Sequence, residues 1–344
     1  MATAPGRARY VALFHLVVCA LTAPSPVQAQ EFDVVEATIT SVHEALATGR
    51  LTCHTLVQRY LDRIAAYDQT GPTLNTIQNL NPRALAEADS LDAVQRMGGT
   101  LGPLHCVPVL LKDQIETRDM PTTYGSALFK DFLPARDATV VTRLEAAGAI
   151  ILAKTTMGEF ASRYVGSGFG IIRNAYDPTR NPSGSSGGTG SGVAASFGLV
   201  GLGEDTGGSV RGPAAVSGLV GLRPTLQLVS RQGMLPANPT QDTMGPMTRT
   251  VMDAALLLDV MAGYDPEDPL TAYAVGHIPS SYVPALSTDA LRGVRIGVLR
   301  EPMDTSGRAE SEDVAQVEAV FNQAMNDLRS LGAEIVDSLV IDSL

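Results

Sequence analysis

Apolar residues in the first third of the chain recur at helical spacing. Val34, Val35, Ile39, Val42 and Ala45 fall three and four residues apart, and Leu56, Tyr60, Ile64 and Ala65 follow the same rule. The stretch from Phe32 to about Met97 therefore predicts helix. After Leu101 the pattern changes. Val107 to Leu111 is a short apolar run ending at Lys112-Asp113, which predicts a buried strand. Asp137 to Ala147 predicts an amphipathic helix stopped by Gly148, and Ala149-Ile150-Ile151-Leu152-Ala153 a second buried strand. Further on, Met252 to Met261 predicts a helix. Arg295 to Leu299 and Glu334 to Ile341 are strand-like on either side of a helix from Val314 to Leu331. No internal repeat is visible, and the alternation of strand and helix predicts an α/β layer architecture.

The N-terminus stands apart from this pattern. Arg7 and Arg9 precede a nearly continuous apolar run, Tyr10 to Ala23, and Val27-Gln28-Ala29 supplies a small-residue cleavage site. These are the parts of an export signal. The run is shorter than the roughly 20 residues that span a bilayer, so it does not read as a membrane helix. A lipoprotein reading of Leu16-Val17-Val18-Cys19 is weakened by the bulky Val18 before the cysteine. Residues 1–29 are thus expected to be a signal peptide cleaved after Ala29, leaving an exported protein, periplasmic or secreted. Cleavage takes away two arginines and no acidic residue, moving the net charge from −11 to −13. Such acidity argues against nucleic acid, whose phosphates need a basic face. Of the 3 cysteines, Cys53 and Cys106 would remain, and an oxidising compartment would allow them to pair. A buried structural thiol is the expected state of Cys106. His43, His54 and His105 show no ligand spacing, so no metal and no cofactor are expected.

Three segments carry candidate chemistry. The first is Pro108-Val109-Leu110-Leu111-Lys112-Asp113, in which a lysine leaves an apolar strand. Holding it neutral at pH 7 means closing a gap of roughly 3.4 pKa units, about 4.6 kcal/mol, which demands deep burial. A lysine snorkelling from a strand end is the plainer reading of that segment alone. The second is Pro182-Ser183-Gly184-Ser185-Ser186-Gly187-Gly188, where two serines between glycines can present hydroxyls to one cavity. No phosphate-binding glycine motif accompanies it. The third is Asp205-Thr206-Gly207-Gly208-Ser209-Val210-Arg211-Gly212-Pro213-Ala214, which places a serine and several N–H groups before a helix-like stretch, where an oxyanion is stabilised. From Gly184 to Gly221 the chain holds 13 of its 33 glycines with few charges, as expected of backbone packed closely around a site.

Together these segments resemble the amidase signature family. So do Pro121-Thr122-Thr123-Tyr124-Gly125-Ser126, Gly221-Leu222-Arg223-Pro224-Thr225, Val229-Ser230-Arg231 and Asp242-Thr243-Met244-Gly245-Pro246-Met247. The resemblance runs from about Phe32 to the C-terminus. It implies an α/β fold with a mixed β-sheet core flanked by helices on both faces, residues 30–344 forming one amidase signature domain. Members of the family run further than Leu344, so the domain's C-terminal part is expected to be missing here. The implied activity is hydrolysis of a linear carboxamide, small-molecule or peptide, to a carboxylate and ammonia or an amine. By resemblance Ser209 is the nucleophile, Ser185 a bridging serine after a cis peptide, and Lys112 the base. The N–H groups of Thr206, Gly207, Gly208 and Ser209 would form the oxyanion hole, with Ser186, Asp205 and Arg211 supporting the site. Three positions depart from the family pattern. Ser183 stands where glycine is frequent, Glu204 where threonine or serine is common, and Gly212 where an apolar residue is usual.

Other readings compete. Gly184-Ser185-Ser186-Gly187-Gly188 also fits the nucleophile elbow of α/β-hydrolases, with Ser186 as nucleophile and His277 as the one histidine downstream. His277 lies in a loop-like context. A glutaminase subunit of a tRNA-dependent amidotransferase shares the same segments, but needs cytosolic partners and tRNA. A non-catalytic remnant would keep the fold without Lys112, Ser185 and Ser209 working together.

Overall fold

The computed structural model describes residues 1–2, 31–300 and 312–341. The expected signal peptide lies outside the described residues apart from its first two positions. In chain order the elements are helix Ile39–Ala47 (α1), helix Cys53–Tyr67 (α2), strand Ile77–Leu80 (β1), helix Ala84–Arg96 (α3), strand Pro108–Lys112 (β2), helix Thr139–Ala146 (α4) and strand Ile150–Thr155 (β3). A short hairpin follows, Val165–Gly166 (β4) and Gly170–Ile171 (β5), then helix Gly187–Ala194 (α5), strand Val200–Asp205 (β6), helix Arg211–Ala215 (α6) and strand Val220–Gly221 (β7). Strand Thr243–Thr248 (β8), helix Val251–Met261 (α7), strand Arg295–Leu299 (β9), helix Glu312–Ser330 (α8) and strand Glu334–Leu339 (β10) complete the series.

Local rules account for the N-terminal helices. Thr38 caps α1 in a capping box with Ser41, and Thr52 caps α2 by accepting the Thr55 N–H. Both helices bury the apolar stripe that the spacing predicts: Ile39, Val42, Ala45 and Leu46 on α1; Leu56, Val57, Tyr60 and Ile64 on α2. The expectation of helix throughout Phe32 to Met97 needs one correction, because Ile77–Leu80 is a strand. Its sequence Ile-Gln-Asn-Leu is too short to show a period, and pairing with β3 decides its conformation.

The central sheet has the order β1-β3-β2-β6-β8-β7. Strands β3, β2 and β6 run parallel, while β1, β8 and β7 pair antiparallel to their neighbours, so the sheet is mixed. Helices cover both faces, with α5 packed on β2, β6 and β8, α3 and α4 on β3, and α7 on β8. Every residue of β2, β3, β6 and β8 is buried, which explains their continuous apolar or glycine-rich character without alternation. Strand β10 pairs parallel with β9 in a separate two-stranded sheet beside α8. No helix among the described residues is long and apolar enough to cross a membrane.

Helix α5 shows what the glycine density is for. Its sequence, Gly-Gly-Thr-Gly-Ser-Gly-Val-Ala, has poor intrinsic helix propensity, yet seven of its residues are buried. A Cβ on Gly188 would overlap the Thr156 carbonyl, so this helix reaches the sheet only as glycine. Cys53, at the start of α2, forms a disulfide with Cys106, two residues before β2. The expected free thiol at Cys106 is therefore corrected. The two Cα atoms lie 5.3 Å apart, and the bridge ties the N-terminal helices to the strand that carries Lys112.

Candidate active site

The parallel strands β2 and β6 end at the same edge of the sheet, where open α/β sheets place their ligands. Lys112 is the last residue of β2, and Glu204 and Asp205 are the last two of β6. The loop before α5 delivers Ser185 to the same point. The Gly184–Ser185 peptide is cis, and a side chain on Gly184 would overlap the Arg163 carbonyl. Lys112 Nζ lies 2.8 Å from Ser185 Oγ, 2.8 Å from Glu204 Oε2 and 3.1 Å from the Glu204 carbonyl oxygen. Lys112 and Glu204 are fully buried, and Ser185 is 1% exposed. Burial pushes the Lys112 ammonium's pKa below the ordinary lysine value. The Glu204 carboxylate, and more weakly Asp205 and Asp242, oppose this shift without reversing it.

Ser209 sits on the loop between β6 and α6 and is half-buried. Asp205 organises that loop. Its carboxylate accepts the N–H groups of Gly208 at 2.7 Å, Val210 at 3.1 Å and Arg211 at 3.3 Å. The Arg211 guanidinium adds two contacts at 3.1 Å, and Arg223 Nε lies 3.3 Å away. Burial by itself would raise the Asp205 carboxyl; Arg211 and the three N–H donors outweigh it and hold the pKa at about 2. The Gly208 N–H is thereby committed to Asp205, which removes it from the expected oxyanion hole. Among the described residues the N–H groups of Thr206, Gly207 and Ser209 have no intramolecular acceptor. Space beside the loop is open, since a Cβ on Gly207 or Gly208 would meet nothing within 4 Å. The Ser186 N–H donates to the Ser209 carbonyl at 3.3 Å, which sets the two serine loops side by side. The Ser209 hydroxyl makes no hydrogen bond among the described residues, so the Lys112–Ser185 link is formed while the Ser185–Ser209 link is open.

Comparison with known proteins bears directly on this arrangement. Residues 55–342 match the Amidase family. The chain belongs to the amidase family. It is 42% identical over 288 residues to a glutamyl-tRNA(Gln) amidotransferase subunit of Rhodopirellula baltica, covering 82% of this chain and 56% of that protein. Among solved structures, the native peptide amidase of Stenotrophomonas maltophilia is 41% identical with a TM-score of 0.82, covering 88% of this chain and 62% of that one. An amidase family protein of Bacillus anthracis is 36% identical with a TM-score of 0.83, covering 90% and 61%. The chain thus spans less than two thirds of the length of these relatives.

Within the amidase fold the unusual residues acquire partners. A Cβ on Gly212 would come 2.8 Å from Ser183 Oγ, so the hydroxymethyl group at 183 takes up the room that a larger residue at 212 would need. Ser186 Oγ donates to the Glu204 carbonyl at 3.2 Å and is fully buried. No strand leads into Ser186, and His277 is exposed in a turn, so the strand–elbow–helix geometry of an α/β-hydrolase is not formed. Asp113, next to Lys112, accepts the N–H groups of Thr123 at 3.0 Å and Gly125 at 3.1 Å, which anchors the segment Pro121 to Ser126. Lys154 on β3 lies 3.8 Å from Asp113 and 2.7 Å from Thr122 Oγ1, and burial lowers its pKa to about 8.

Two further groups complete the site: Asp242 and Tyr124. The Asp242 Oδ1 atom lies 2.6 Å from Thr206 Oγ1. The Tyr124 hydroxyl donates to the Pro236 carbonyl at 2.8 Å and is pushed up to about 12 by burial and by the charges of Glu204 and Asp242. Both residues fall inside motif strings read from the sequence, yet nothing there singles them out, because their partners are far along the chain.

The lowered pKa of Asp205 sets a pH dependence. A carboxylate held below its unfolded value stabilises the fold fully above that value and loses the effect as pH falls through its folded pKa. The melting-temperature difference between wild type and Asp205→Asn is expected to be full at pH 6 and to shrink below pH 3.8 toward about 2, followed by calorimetry across that range.

Proposed function

We propose that this chain is a serine amidohydrolase acting on linear carboxamides through an acyl-enzyme on Ser209. The observation that carries the reading is the buried Lys112 Nζ at 2.8 Å from Ser185 Oγ, in a loop held against that of Ser209. Ser209 Oγ attacks the amide carbon and forms the new C–O bond. Its proton passes to Ser185 Oγ as the Ser185 proton passes to Lys112 Nζ, so no histidine takes part. The N–H groups of Thr206, Gly207 and Ser209 stabilise the oxyanion. Collapse breaks the C–N bond, and the relay returns the proton to the departing nitrogen. Water then repeats the sequence on the ester to release the carboxylate. The peptide amidase among the similar structures supports small or peptide carboxamides as the substrate class.

The relatives named as amidotransferase subunits support a second reading, release of ammonia from glutamine in an assembly with partners. The acidic net charge of −11 and the export signal favour the amidohydrolase. Lys112→Ala and Ser185→Ala are each expected to lower kcat/KM for a simple carboxamide by about 10²- to 10⁴-fold. Ser209→Ala should leave only background ammonia release, and His277→Ala should leave turnover unchanged. Activity surviving in Ser209→Ala would exclude the acyl-enzyme, and activity with free glutamine alone would favour the amidotransferase reading.

We further infer that the protein is exported. Arg7, Arg9, the apolar run and Val27-Gln28-Ala29 support this, as does the Cys53–Cys106 disulfide, a cross-link that persists in oxidising compartments. Expression of the full chain should yield extracytoplasmic protein whose N-terminal residue is Gln30. Recovery of intact Met1 protein from the cytoplasm would contradict export.

A further inference from the structure

Glu204 is bound to Lys112 twice. Its carbonyl oxygen lies 3.1 Å from Lys112 Nζ and its Oε2 atom 2.8 Å, in an ion pair whose two side chains are both fully buried. The third contact of Nζ is Ser185 Oγ at 2.8 Å. Lys112 donates in all three, so each N–H of an ammonium has its own acceptor. The far side of the carboxylate is held as well. Thr206 Oγ1 lies 2.7 Å from Glu204 Oε1 and 2.6 Å from Asp242 Oδ1, one hydroxyl shared between the two acids.

The acids around the lysine are not equivalent. Asp205, next to Glu204 on β6, is matched by Arg211 and Arg223. Asp242, just before β8, accepts the N–H groups of Ala237 and Asn238 at 2.8 Å each through Oδ2. Asp113, which follows Lys112 in the chain, lies 3.8 Å from Lys154. Tyr124 faces the same carboxylates, and burial together with the charges of Glu204 and Asp242 pushes its phenol up to about 12. Among the described residues Lys112 is the one ion-pair partner of Glu204. Burial lowers the pKa of the Lys112 ammonium, and Glu204 is the strongest of the charges that raise it.

We propose that Glu204 holds Lys112 as an ammonium in the resting site and thereby sets the pH at which the relay starts to work. A molecule becomes competent when Lys112 releases one proton to bulk water. Glu204 keeps two of the three N–H groups, so the proton lost is the one facing Ser185, and the lone pair left behind is aimed at Ser185 Oγ. Glu204 is in this account a positioning residue, acting on the reaction through Lys112. A neutral side chain at 204 would leave a buried cation without its counter-ion, and burial would then drive the proton off at lower pH. This assignment rests on the reading of Lys112 and Ser185 as the relay to Ser209.

The test is the pH profile of kcat/KM for a simple carboxamide in wild type and Glu204→Gln, whose acidic limb reports the base of the free enzyme. In the variant the limb is expected to move down by about one pH unit or more, a gain of about tenfold on that limb relative to the variant's own plateau. A merely structural defect would lower the plateau and leave the limb in place. A limb that stays put or moves up overturns the proposal. The chain has only 3 lysines, Lys112, Lys130 and Lys154, which allows a reading without turnover. Carbon-13 labelling of lysine Cε gives one resonance for each, and substituting the lysines one at a time assigns them. In wild type at pH 7 the Lys112 resonance is expected at the position of an ammonium, and in Glu204→Gln its titration midpoint should fall by about one pH unit or more. A neutral amine at pH 7 in wild type overturns the proposal even if the glutamine variant does not fold. Turnover persisting in Ser209→Ala would instead overturn the nucleophile assignment, while the lysine titration still decides whether Glu204 holds the proton on Lys112.

Discussion

A lysine amine buried at the carboxyl edge of the sheet is the constraint around which this molecule is arranged. Leaving a charged ammonium in an apolar interior costs several kcal/mol unless it is paired or neutralised. The fold answers that cost with three oxygen contacts within 3.1 Å of Lys112 Nζ, one from Ser185 and two from Glu204. To bring both residues to one nitrogen, β2 and β6 must lie side by side in parallel, and the loop before α5 must close over their ends. The glycines follow from that demand. Gly203 on β6 faces Ser186 Oγ at a distance where a Cβ would sit 2.8 Å away, and Gly188 on α5 admits no side chain against Thr156.

Burial is graded across the site. Lys112 and Glu204 are sealed, Ser185 is nearly so, and Ser209 is half-buried on a loop with open space beside its glycines. The relay proposed above would gain from this order, because Lys112 is sealed from water while Ser209 stays open to a substrate. Asp205 makes the outer end rigid. Its two oxygens take up three backbone N–H groups and two guanidinium groups, which fixes the loop and leaves the N–H groups of Gly207 and Ser209 unclaimed. The same arrangement removes Gly208 as an oxyanion donor.

Much of this was legible in the chain itself. The apolar strand ending at Lys112, the second strand at Ile150 and the helices around Val141 and Leu257 carry local signals that the structure realises as elements, while serines 185, 186 and 209 lie on loops set side by side with the Ser185–Ser209 link open. What escaped reading depends on contacts distant in sequence. β1 is four residues with no period, formed by pairing with β3. Helix α5 is built from the residue type that ordinarily breaks helices. Strands β6 and β8 have glycines at positions where apolar side chains would normally announce a strand. Glu204 stood out in the sequence as a departure from the family pattern; its meaning emerged only from its 2.8 Å approach to a lysine 92 residues away. Cys53 and Cys106, 53 residues apart, likewise gave no sign of pairing beyond their number.

The central claim is that Lys112 activates Ser209 through Ser185, and covalent labelling tests it without knowledge of the substrate. The purified protein would be treated with a fluorophosphonate and the modified residue mapped by mass spectrometry, in wild type and in Lys112→Ala. The account predicts a single adduct on Ser209 that is lost in the lysine variant. An adduct on Ser186, or none on folded protein, would contradict it.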